Sequence, residues 1–301
     1  MDHFAVLRAF VRLVELETFT AVAKELHVKQ STISKWMATL EEDLGVRLID
    51  RTTRVLRVTP SGHAFYRRAA SLVGEYDDAV AEVRDEATSL RGRIRISIPV
   101  VFGSRFIVPL MADFLHEHPD LELEVHMGDH YVNLVEHALD VAVRIGIPVD
   151  SSLQSHHLGD SRRRLVAAPT YLAERGTPSS PVSLEAHQCI THTELDDRTL
   201  WSFSRADETV RINVRGRLAV NHSASTLELT EAGLGIALLA DWLVDPVIEA
   251  GRLLPLLEDY EPPPAPIRAL TPPGRFVPAR VRALIDHLRA GLPLRLALPY
   301  S

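Results

Sequence analysis

Polar and cationic side chains crowd into the short stretch from residue 29 to residue 35, and arginines recur between residues 47 and 57. Glutamine, serine and lysine can hydrogen-bond base edges, and lysine and arginine also bind phosphate. The chemistry that these types offer is recognition of double-stranded DNA. The candidate DNA contacts are Lys29, Gln30, Ser31, Thr32, Ser34, Lys35, Arg51 and Arg54.

The surrounding residues predict a helix-turn-helix followed by a wing. A short helix over 20–26 and a longer one over 30–44 are joined by a tight connection. Apolar residues of the longer helix recur at helical spacing and form one stripe: Ile33, Met37, Leu40 and Leu44. Ser31 and Lys35 fall opposite that stripe, as expected of a helix that enters the major groove. The alternating run 51–58 predicts a β-hairpin wing.

Three features of this region have more than one interpretation. Trp36 lies at the edge of the stripe, as a half-buried packing residue or as an apolar contact to a thymine methyl group. Lys29 occupies the N-cap position but cannot accept a capping bond, so helix entry is weaker or a phosphate replaces the cap. The hairpin arginines either reach the DNA backbone or minor groove, or form a solvated turn.

Residues 60–90 predict one long linker helix, with Pro60 in its first turn and Thr59 as its cap. Its apolar residues repeat at alternating steps of four and three, the spacing of a coiled-coil seam. A lone helix cannot bury such a stripe, so we expect it to pair with the same helix of a second chain. The seam residues are Phe65, Ala69, Leu72, Tyr76, Ala79 and Val83.

Composition excludes several classes of protein. At 301 residues and 46% apolar content, the chain has the size and make-up of two or three globular units, with no membrane-length apolar run. The single cysteine, Cys189, excludes an intramolecular disulfide and fits a reducing cytoplasm, either as a buried thiol or as a redox sensor. Net charge is −7, yet residues 1–60 hold nine Lys or Arg against eight Asp or Glu. The basic surface of a single DNA-binding unit is modest, so we expect at least a dimer.

The remainder of the chain predicts an α/β fold. Alternating strands over 94–98 and 121–127 flank a helix over 104–118, which is a parallel strand-helix-strand unit. A short helix over 133–138 and a strand over 141–145 follow. The same theme repeats over 162–265, and a final helix over 278–290 ends at Gly291.

The N-terminal residues carry a family resemblance. The matching positions are Leu7, Phe10, Thr18, Phe19, Thr20, Val22, Ala23, Leu26, Val28, Gln30, Ser31, Ser34, Leu40, Glu41, Leu44, Gly45, Leu48, Arg51, Thr59 and Gly62. Their ungapped spacing resembles the DNA-binding domain of LysR-type transcriptional regulators, and a looser resemblance continues to about residue 290. Lys29, Trp36 and Ile49 depart from the family pattern, which usually has Ser or Thr, a polar residue and Phe there.

The resemblance implies an α + α/β architecture: a winged helix-turn-helix (1–59), a linker helix (60–90) and a two-lobed effector domain (91–301). The lobes, 92–161 with 267–301 and 162–266, would resemble periplasmic solute-binding proteins. It also implies a homodimer, usually within a homotetramer, a cytoplasmic location, and RNA polymerase as a further partner.

Strand ends and the family together predict a ligand cleft between the lobes. The helix N-terminus near Val100 and Ser104 would favour a carboxylate, so we expect a small anionic or polar effector. Arg144 is either an anion partner or a salt-bridging strand-end residue. The candidate effector residues are Pro99, Val100, Ser104, Gly128, Arg144, Gly146, His192, Thr193, Asn221 and His222.

No nucleophile elbow, phosphate loop or zinc-protease motif occurs, so we expect no enzyme, no cofactor and no metal site. The leading interpretation is a sequence-specific DNA-binding regulator that responds to an effector. One alternative is a constitutive regulator whose cleft is vestigial. Another is a solute-binding protein, catalytic or transport-related, with an accessory N-terminal domain.

Overall fold

The computed structural model describes residues 2–51, 56–83, 90–130, 132–146, 152–193, 198–206, 208–273 and 277–297. The chain divides into two units. One comprises Met1–Leu90 with Asn133–Ala138, and the other comprises Arg91–Val132 with Leu139–Ser301. Each unit has its own sheet or sheets and its own buried apolar residues.

Three helices open the first unit: α1 (His3–Leu16), α2 (Phe19–Glu25) and α3 (Gln30–Leu44). Side-chain oxygens begin the first two, because Asp2 accepts from the Phe4 N–H at 3.0 Å and Thr18 accepts from the Ala21 N–H at 3.3 Å. Gly45 ends α3 with a φ of +66°, which a glycine adopts without strain. The bounds of α3 are those predicted from its apolar period.

The helices enclose a small core in which Phe10, Leu13, Ile33 and Met37 are almost fully buried. Two of the four predicted stripe residues of α3, Ile33 and Met37, lie in this core. Leu44 is 41% exposed instead, which corrects the prediction. The reason is its position, because α3 ends at Leu44 and the chain turns away immediately afterwards.

The wing and the linker helix complete this unit: β1 (Ile49–Arg51), β2 (Leu56–Val58) and α4 (Pro60–Val83). The two strands pair antiparallel, with Asp50 opposite Arg57. Thr59 caps α4 as predicted, since its hydroxyl oxygen accepts from the Gly62 N–H at 2.9 Å. The predicted end of the linker helix, near residue 90, falls beyond a gap at 84–89 in the described residues.

The first sheet of the second unit consists of β3 (Gly92–Ile98), β4 (Leu121–Met127), β5 (Val141–Ile145), β6 (Gln154–Ser161) and β14 (Ala265–Thr271). The strand order is β4-β3-β5-β14-β6. β3 runs parallel to β4 and β5, whereas β14 runs antiparallel to β5 and β6. Between β3 and β4 the chain is helical without a break, through α5 (Val100–Phe102), a π-helical turn (Gly103–Ile107) and α6 (Val108–Glu117).

The second sheet belongs to the second lobe and consists of β7 (Arg163–Ala167), β8 (Gln188–Thr191), β11 (Arg215–Ala219), β12 (Ile236–Ala240) and β13 (Leu254–Leu256). The strand order is β11-β8-β12-β7-β13. A separate hairpin, β9 (Leu200–Arg205) with β10 (Glu208–Asn213), packs beside it. The helices of this lobe are α7 (Pro169–Arg175), α8 (Ser223–Glu231) and α9 (Asp241–Glu249).

Two predictions about helices beyond residue 90 are wrong. The last helix, α10 (Ala279–Leu296), continues past Gly291 because that glycine serves close packing: a Cβ there would lie 2.4 Å from Leu110 Cδ2 of α6. Residues 133–138 form turns instead of a helix. The Asn133 side chain accepts from the Val135 and Glu136 N–H groups, which favours a turn.

Cys189 lies in β8 and is 1% exposed. Burial in the apolar core of the second lobe raises the pKa of its thiol to about 12. Of the two interpretations of this residue, the structure supports the buried thiol. Among the described helices, none is both long and apolar enough to cross a membrane.

Candidate nucleic-acid interface and ligand cleft

The candidate DNA-contacting face lies at the start of α3. Lys29, Gln30, Ser31 and Lys35 are exposed, whereas Thr32 and Ser34 are half-buried. The two lysines have no carboxylate partner among the described residues. The exposed residues are therefore available to base edges and phosphates on one side of the helix.

Lys29 and Trp36 show how this face is attached to the core. No side chain caps the start of α3 at Lys29, as predicted from its type, although the Lys29 carbonyl accepts from the Thr32 N–H at 2.9 Å. Trp36 is half-buried and packs against the core of the unit. Of its two interpretations, the structure supports packing.

The wing is tied to α3 by Glu41, a contact that sequence reasoning missed. Its carboxylate accepts from the backbone N–H groups of Leu48 and Ile49, at 2.8 and 2.9 Å. The charge pattern of α3 shows Glu41 only as an acid near the far end of the helix, but its place in the family spacing was a usable signal. Because charge-assisted hydrogen bonds are stronger than neutral ones, this carboxylate fixes where the wing begins.

Gly62 allows α4 to pass close to the start of the wing. A Cβ at Gly62 would lie 2.1 Å from the Leu48 carbonyl oxygen and 2.8 Å from Val58 Cγ1. The same Leu48 oxygen accepts from the Thr59 N–H at 2.9 Å. Arg57 is exposed on β2, whereas Arg54 and the Arg51 side chain lie outside what the structure describes.

Part of the predicted coiled-coil seam of the linker helix packs against the helix's own chain. Ala69 is 1% exposed, and the half-buried Phe65 ring contacts Phe10 of α1 in a tilted arrangement with ring centroids 5.4 Å apart. The burial of Ala69 within its own chain corrects its assignment to the seam, because the apolar stripe also has to cover the N-terminal core, whereas the assignment of Phe65 stays a prediction. Leu72 and Tyr76 are 54% and 51% exposed. The side chains of Ala79 and Val83 lie outside the described part.

An ionic network joins α1, α2 and α4. Arg12 binds Glu25 through two hydrogen bonds of 2.6 and 2.8 Å and also pairs with Glu15. Glu15 accepts in turn from the Tyr66 hydroxyl at 2.9 Å. The hydrogen bonds that Arg12 donates to Glu25 lower the pKa of the Glu25 carboxyl and raise the pKa of the Arg12 guanidinium.

The first lobe brings its predicted ligand residues to one edge of the sheet. Pro99, Gly128 and Gly146 each follow the carboxyl end of a strand, and the three strands are parallel neighbours. The Gly128 N–H donates to the Ile98 carbonyl at 3.0 Å, which holds two of these ends together. The edge has the position that ligand sites favour in open α/β sheets.

The predicted carboxylate site at Val100 and Ser104 is already used by the protein. The helix begins at Val100, so Ser104 lies in the π-helical turn and not in the connecting loop. The Val100 N–H donates to Asp129 Oδ1 at 2.9 Å. A side-chain carboxylate thus takes up the Val100 N–H that was proposed for an anionic ligand, whereas a ligand contact by Ser104 stays a prediction.

Arg144 braces the same edge from within the sheet. It is 5% exposed, and its guanidinium donates to the Val143 carbonyl at 2.7 Å, to Ser97 Oγ at 2.8 Å and to the His130 carbonyl at 3.2 Å. These contacts support a structural role at the strand ends rather than a side chain extended toward a ligand.

The second lobe presents the other predicted ligand residues. His192 and Thr193 follow β8, and Asn221 and His222 precede α8. The Val220 N–H donates to the Thr191 carbonyl at 2.8 Å, so these two segments start from neighbouring strand ends. His222 is the N-cap of α8, and its Nδ1 accepts from the Ser225 N–H at 3.3 Å.

The two lobes touch through residues that sequence reasoning did not select. The Trp242 ring of α9 lies 5.5 and 5.4 Å from the rings of Phe102 and Phe106, and the Arg105 guanidinium donates to the Trp242 carbonyl at 2.9 Å. Trp242 Nε1 donates to Ser161 Oγ at 3.1 Å, near the chain crossing between lobes. An apolar contact therefore lies beside the strands that connect the lobes.

The first unit is a winged helix-turn-helix that exposes a polar helix, and the second is a two-lobed α/β unit. This combination defines a DNA-binding protein with a second domain of the ligand-binding type. Residues 4–63 match the family profile described as "Bacterial regulatory helix-turn-helix protein, lysR family". Residues 87–293 match the profile "LysR substrate binding domain".

Individual relatives agree with these matches along almost the whole chain. The HTH-type transcriptional regulator PtxR of Pseudomonas aeruginosa is 37% identical over 294 residues, which is 97% of this chain and 94% of PtxR. The full-length structure of the Vibrio cholerae virulence activator AphB, a member of the LTTR protein family, has a TM-score of 0.57 at 30% identity, covering 95% of this chain and 98% of AphB. The structure of CrgA, a LysR-type transcriptional regulator from Neisseria meningitidis, has a TM-score of 0.52 at 31% identity, covering 97% and 96%.

The chain therefore belongs to the LysR family of transcriptional regulators. It combines a helix-turn-helix DNA-binding domain with an effector-binding domain, as the sequence analysis predicted.

Proposed function

We propose that this regulator binds operator DNA as a dimer, with the exposed face of α3 in the major groove of each half-site. Gln30, Ser31 and Ser34 would contact base edges, and Lys29 and Lys35 would contact phosphate. Thr32 would support the helix entry, and Arg51 and Arg54 of the wing would reach the adjacent backbone. The observation that carries this proposal is the pair of exposed lysines without carboxylate partners among the described residues, on an otherwise polar face.

A salt series tests the assignment of Lys35. We expect Lys35→Ala to weaken operator binding and to flatten the dependence of log K on log salt by roughly one unit per lost phosphate contact. Footprinting on the DNA that flanks the protein's own coding region supplies the site. The matched control is Arg282→Ala, which removes an exposed cation from α10 of the other unit. A salt slope unchanged by Lys35→Ala would remove this residue from the interface.

We extend the proposal to assembly through the linker helix, with tetramers formed from dimers. Support comes from Leu72 and Tyr76, two large side chains that stay about half exposed within a single chain. Leu72→Glu is expected to yield monomers by light scattering, because a buried unpaired carboxylate would destabilise the seam. Leu294→Glu is the control, since Leu294 is 71% exposed on a different helix. A Leu72→Glu variant that assembles like the parent would place the interface elsewhere.

We also propose that a small-molecule effector enters the cleft and changes how the two lobes close, and so how the paired DNA-binding domains contact the operator. The regulator would act in the cytoplasm, where the DNA of a bacterial cell lies. Because it binds near promoters, it would also contact RNA polymerase. The alternative of a constitutive regulator predicts a footprint that no metabolite alters in length or strength. Footprinting with a metabolite series therefore separates the two.

A further inference from the structure

Asp129 stands between the two lobes with only one of its oxygens in use. It follows β4 in the first lobe, and its side chain is 16% exposed. Oδ1 accepts from the Val100 N–H at 2.9 Å, at the start of the helix that lines the cleft. A negative charge at this position is favoured by the helix dipole.

The other oxygen, Oδ2, lacks a hydrogen-bond donor. It is shielded from solvent and has no hydrogen-bond partner among the described residues. The side chain that faces it is His222 of the second lobe, whose Nε2 lies 3.9 Å away, which is too long for a hydrogen bond. A buried carboxylate oxygen without a donor is costly, so this position favours any group that supplies one.

The hydrogen bonds of His222 indicate which of its two ring nitrogens carries the proton. Nδ1 accepts from the Ser225 N–H at 3.3 Å and lies 2.9 Å from Ser225 Oγ, a hydroxyl that can also donate to it, so the neutral ring without a proton on Nδ1 fits both contacts. The proton is then on Nε2, the atom directed toward Asp129. An acceptor from one lobe and a donor from the other thus face each other across a gap.

We propose that this gap binds a hydroxyl group of the effector, and that the effector is an uncharged, hydroxyl-bearing small molecule. The hydroxyl would donate to Asp129 Oδ2 and accept from His222 Nε2. An oxygen at ordinary hydrogen-bond distances from both atoms would subtend an angle of about 90°, which is compatible with the lone-pair and proton directions of a hydroxyl. This inference rests on the proposed function, in which the cleft binds an effector.

Other ligand classes fit the gap less well. A carboxylate or phosphate would meet the charge of Asp129, and the Val100 N–H that would have attracted it is already bonded. An ammonium group donates but cannot accept, so it would leave the proton of His222 Nε2 without a partner. A hydroxyl group satisfies both sides.

The same hydroxyl would link ligand binding to lobe closure. Because Oδ2 is shielded in the present arrangement, the ligand enters when the lobes separate and is enclosed when they approach. A group that contacts both lobes binds the closed arrangement more tightly than the open one, and this difference is what shifts the equilibrium.

The test uses the full chain labelled with carbon-13 at the Cε1 atom of histidine. The probes are two matched pairs, D-sorbitol with D-gluconate and resorcinol with meta-hydroxybenzoate, in which a carboxylate replaces a hydroxyl-bearing group. We expect a neutral probe to shift the His222 signal saturably, and its carboxylate counterpart, which keeps hydroxyl groups but adds a negative charge near Asp129, to do so only at higher concentration. We expect Asp129→Asn to weaken that response about tenfold or more.

Two further variants keep the result interpretable if Asp129→Asn misfolds. His222→Asn retains an N-cap acceptor for α8 but removes Nε2, so neutral-probe binding, followed by saturation-transfer NMR, should be lost while the fold is kept. Asp160→Asn is the control, because Asp160 is an exposed carboxylate of β6 that pairs only with His157 among the described residues. It should behave as the parent.

Stronger binding of the carboxylate probes than of the neutral probes would overturn the proposal. No response of His222 to either neutral probe would also overturn it, and would mean that water alone fills the gap. The operator footprint separates this failure from failure of the proposed function. A parent protein that protects its operator but ignores both neutral probes refutes only the ligand class. Loss of the footprint itself refutes the DNA-binding assignments.

Discussion

Gly62→Ala is expected to destabilise the DNA-binding domain, although the same change within a helix is normally favourable. Alanine in place of glycine in a helix interior contributes about 0.5–1 kcal/mol to stability. At this position the added Cβ would lie 2.1 Å from the Leu48 carbonyl oxygen and 2.8 Å from Val58 Cγ1. Neither distance is tolerable, so α4 must move away from the start of the wing.

The structure allows the size of this effect to be worked out. Overpacking of this kind costs about 1–3 kcal/mol. The Leu48 oxygen also accepts from the Thr59 N–H at 2.9 Å, and weakening that bond adds up to about 1 kcal/mol. After the helix-propensity gain is subtracted, we expect a net loss of about 1–3 kcal/mol, or a drop in Tm of at least about 5 °C for a domain of this size.

The assay must report on the N-terminal domain alone. Trp36 is the one tryptophan of that domain, and the other two, Trp201 and Trp242, belong to the second unit. Fluorine NMR of protein labelled with 5-fluorotryptophan would resolve the Trp36 signal during thermal unfolding. Ser61→Ala, on the same helical turn but exposed, is the control and should change Tm little. A Gly62→Ala protein as stable as the parent would refute the reasoning.

Three further predictions concern single side chains. Glu41→Ala should destabilise the wing by about 1–3 kcal/mol, because two partly buried backbone N–H groups lose their acceptor; Glu41→Gln, which keeps one amide oxygen, should recover part of this in urea unfolding. Arg12 lowers the pKa of Glu25 below its ordinary 4.5, so the stability that this pair contributes is present above pH 4.5 and is lost as the pH falls through the folded-state pKa. Glu25→Gln should therefore reduce the loss of unfolding free energy at acid pH, and an unchanged loss would argue against the pair. Cys189, with its pKa raised to about 12, should react with a thiol reagent far more slowly in the folded protein than in urea, and equal rates would contradict its burial.

Local patterns in the sequence were sufficient for the elements whose bounds depend on neighbouring residues. The helix over 30–44, its uncapped start at Lys29 and the cap of the linker helix at Thr59 follow from apolar period and from the hydrogen-bonding capacity of single side chains. The parallel unit of β3 and β4 follows from strand alternation with a helix between. The family spacing around the recognition helix then identified the class of protein.

Tertiary structure decided the roles that depend on residues far apart in the chain. Gly291 resembles a helix terminator in the sequence, but it is a point of close contact with Leu110. Ala69 fits a coiled-coil seam, but it is buried against α1. In the cleft, the helix N-terminus at Val100 attracts an anion in principle, yet Asp129 supplies that anion from within the protein. A sequence shows which groups are present and how they are spaced locally, whereas only the folded chain shows which of them have already bonded to one another.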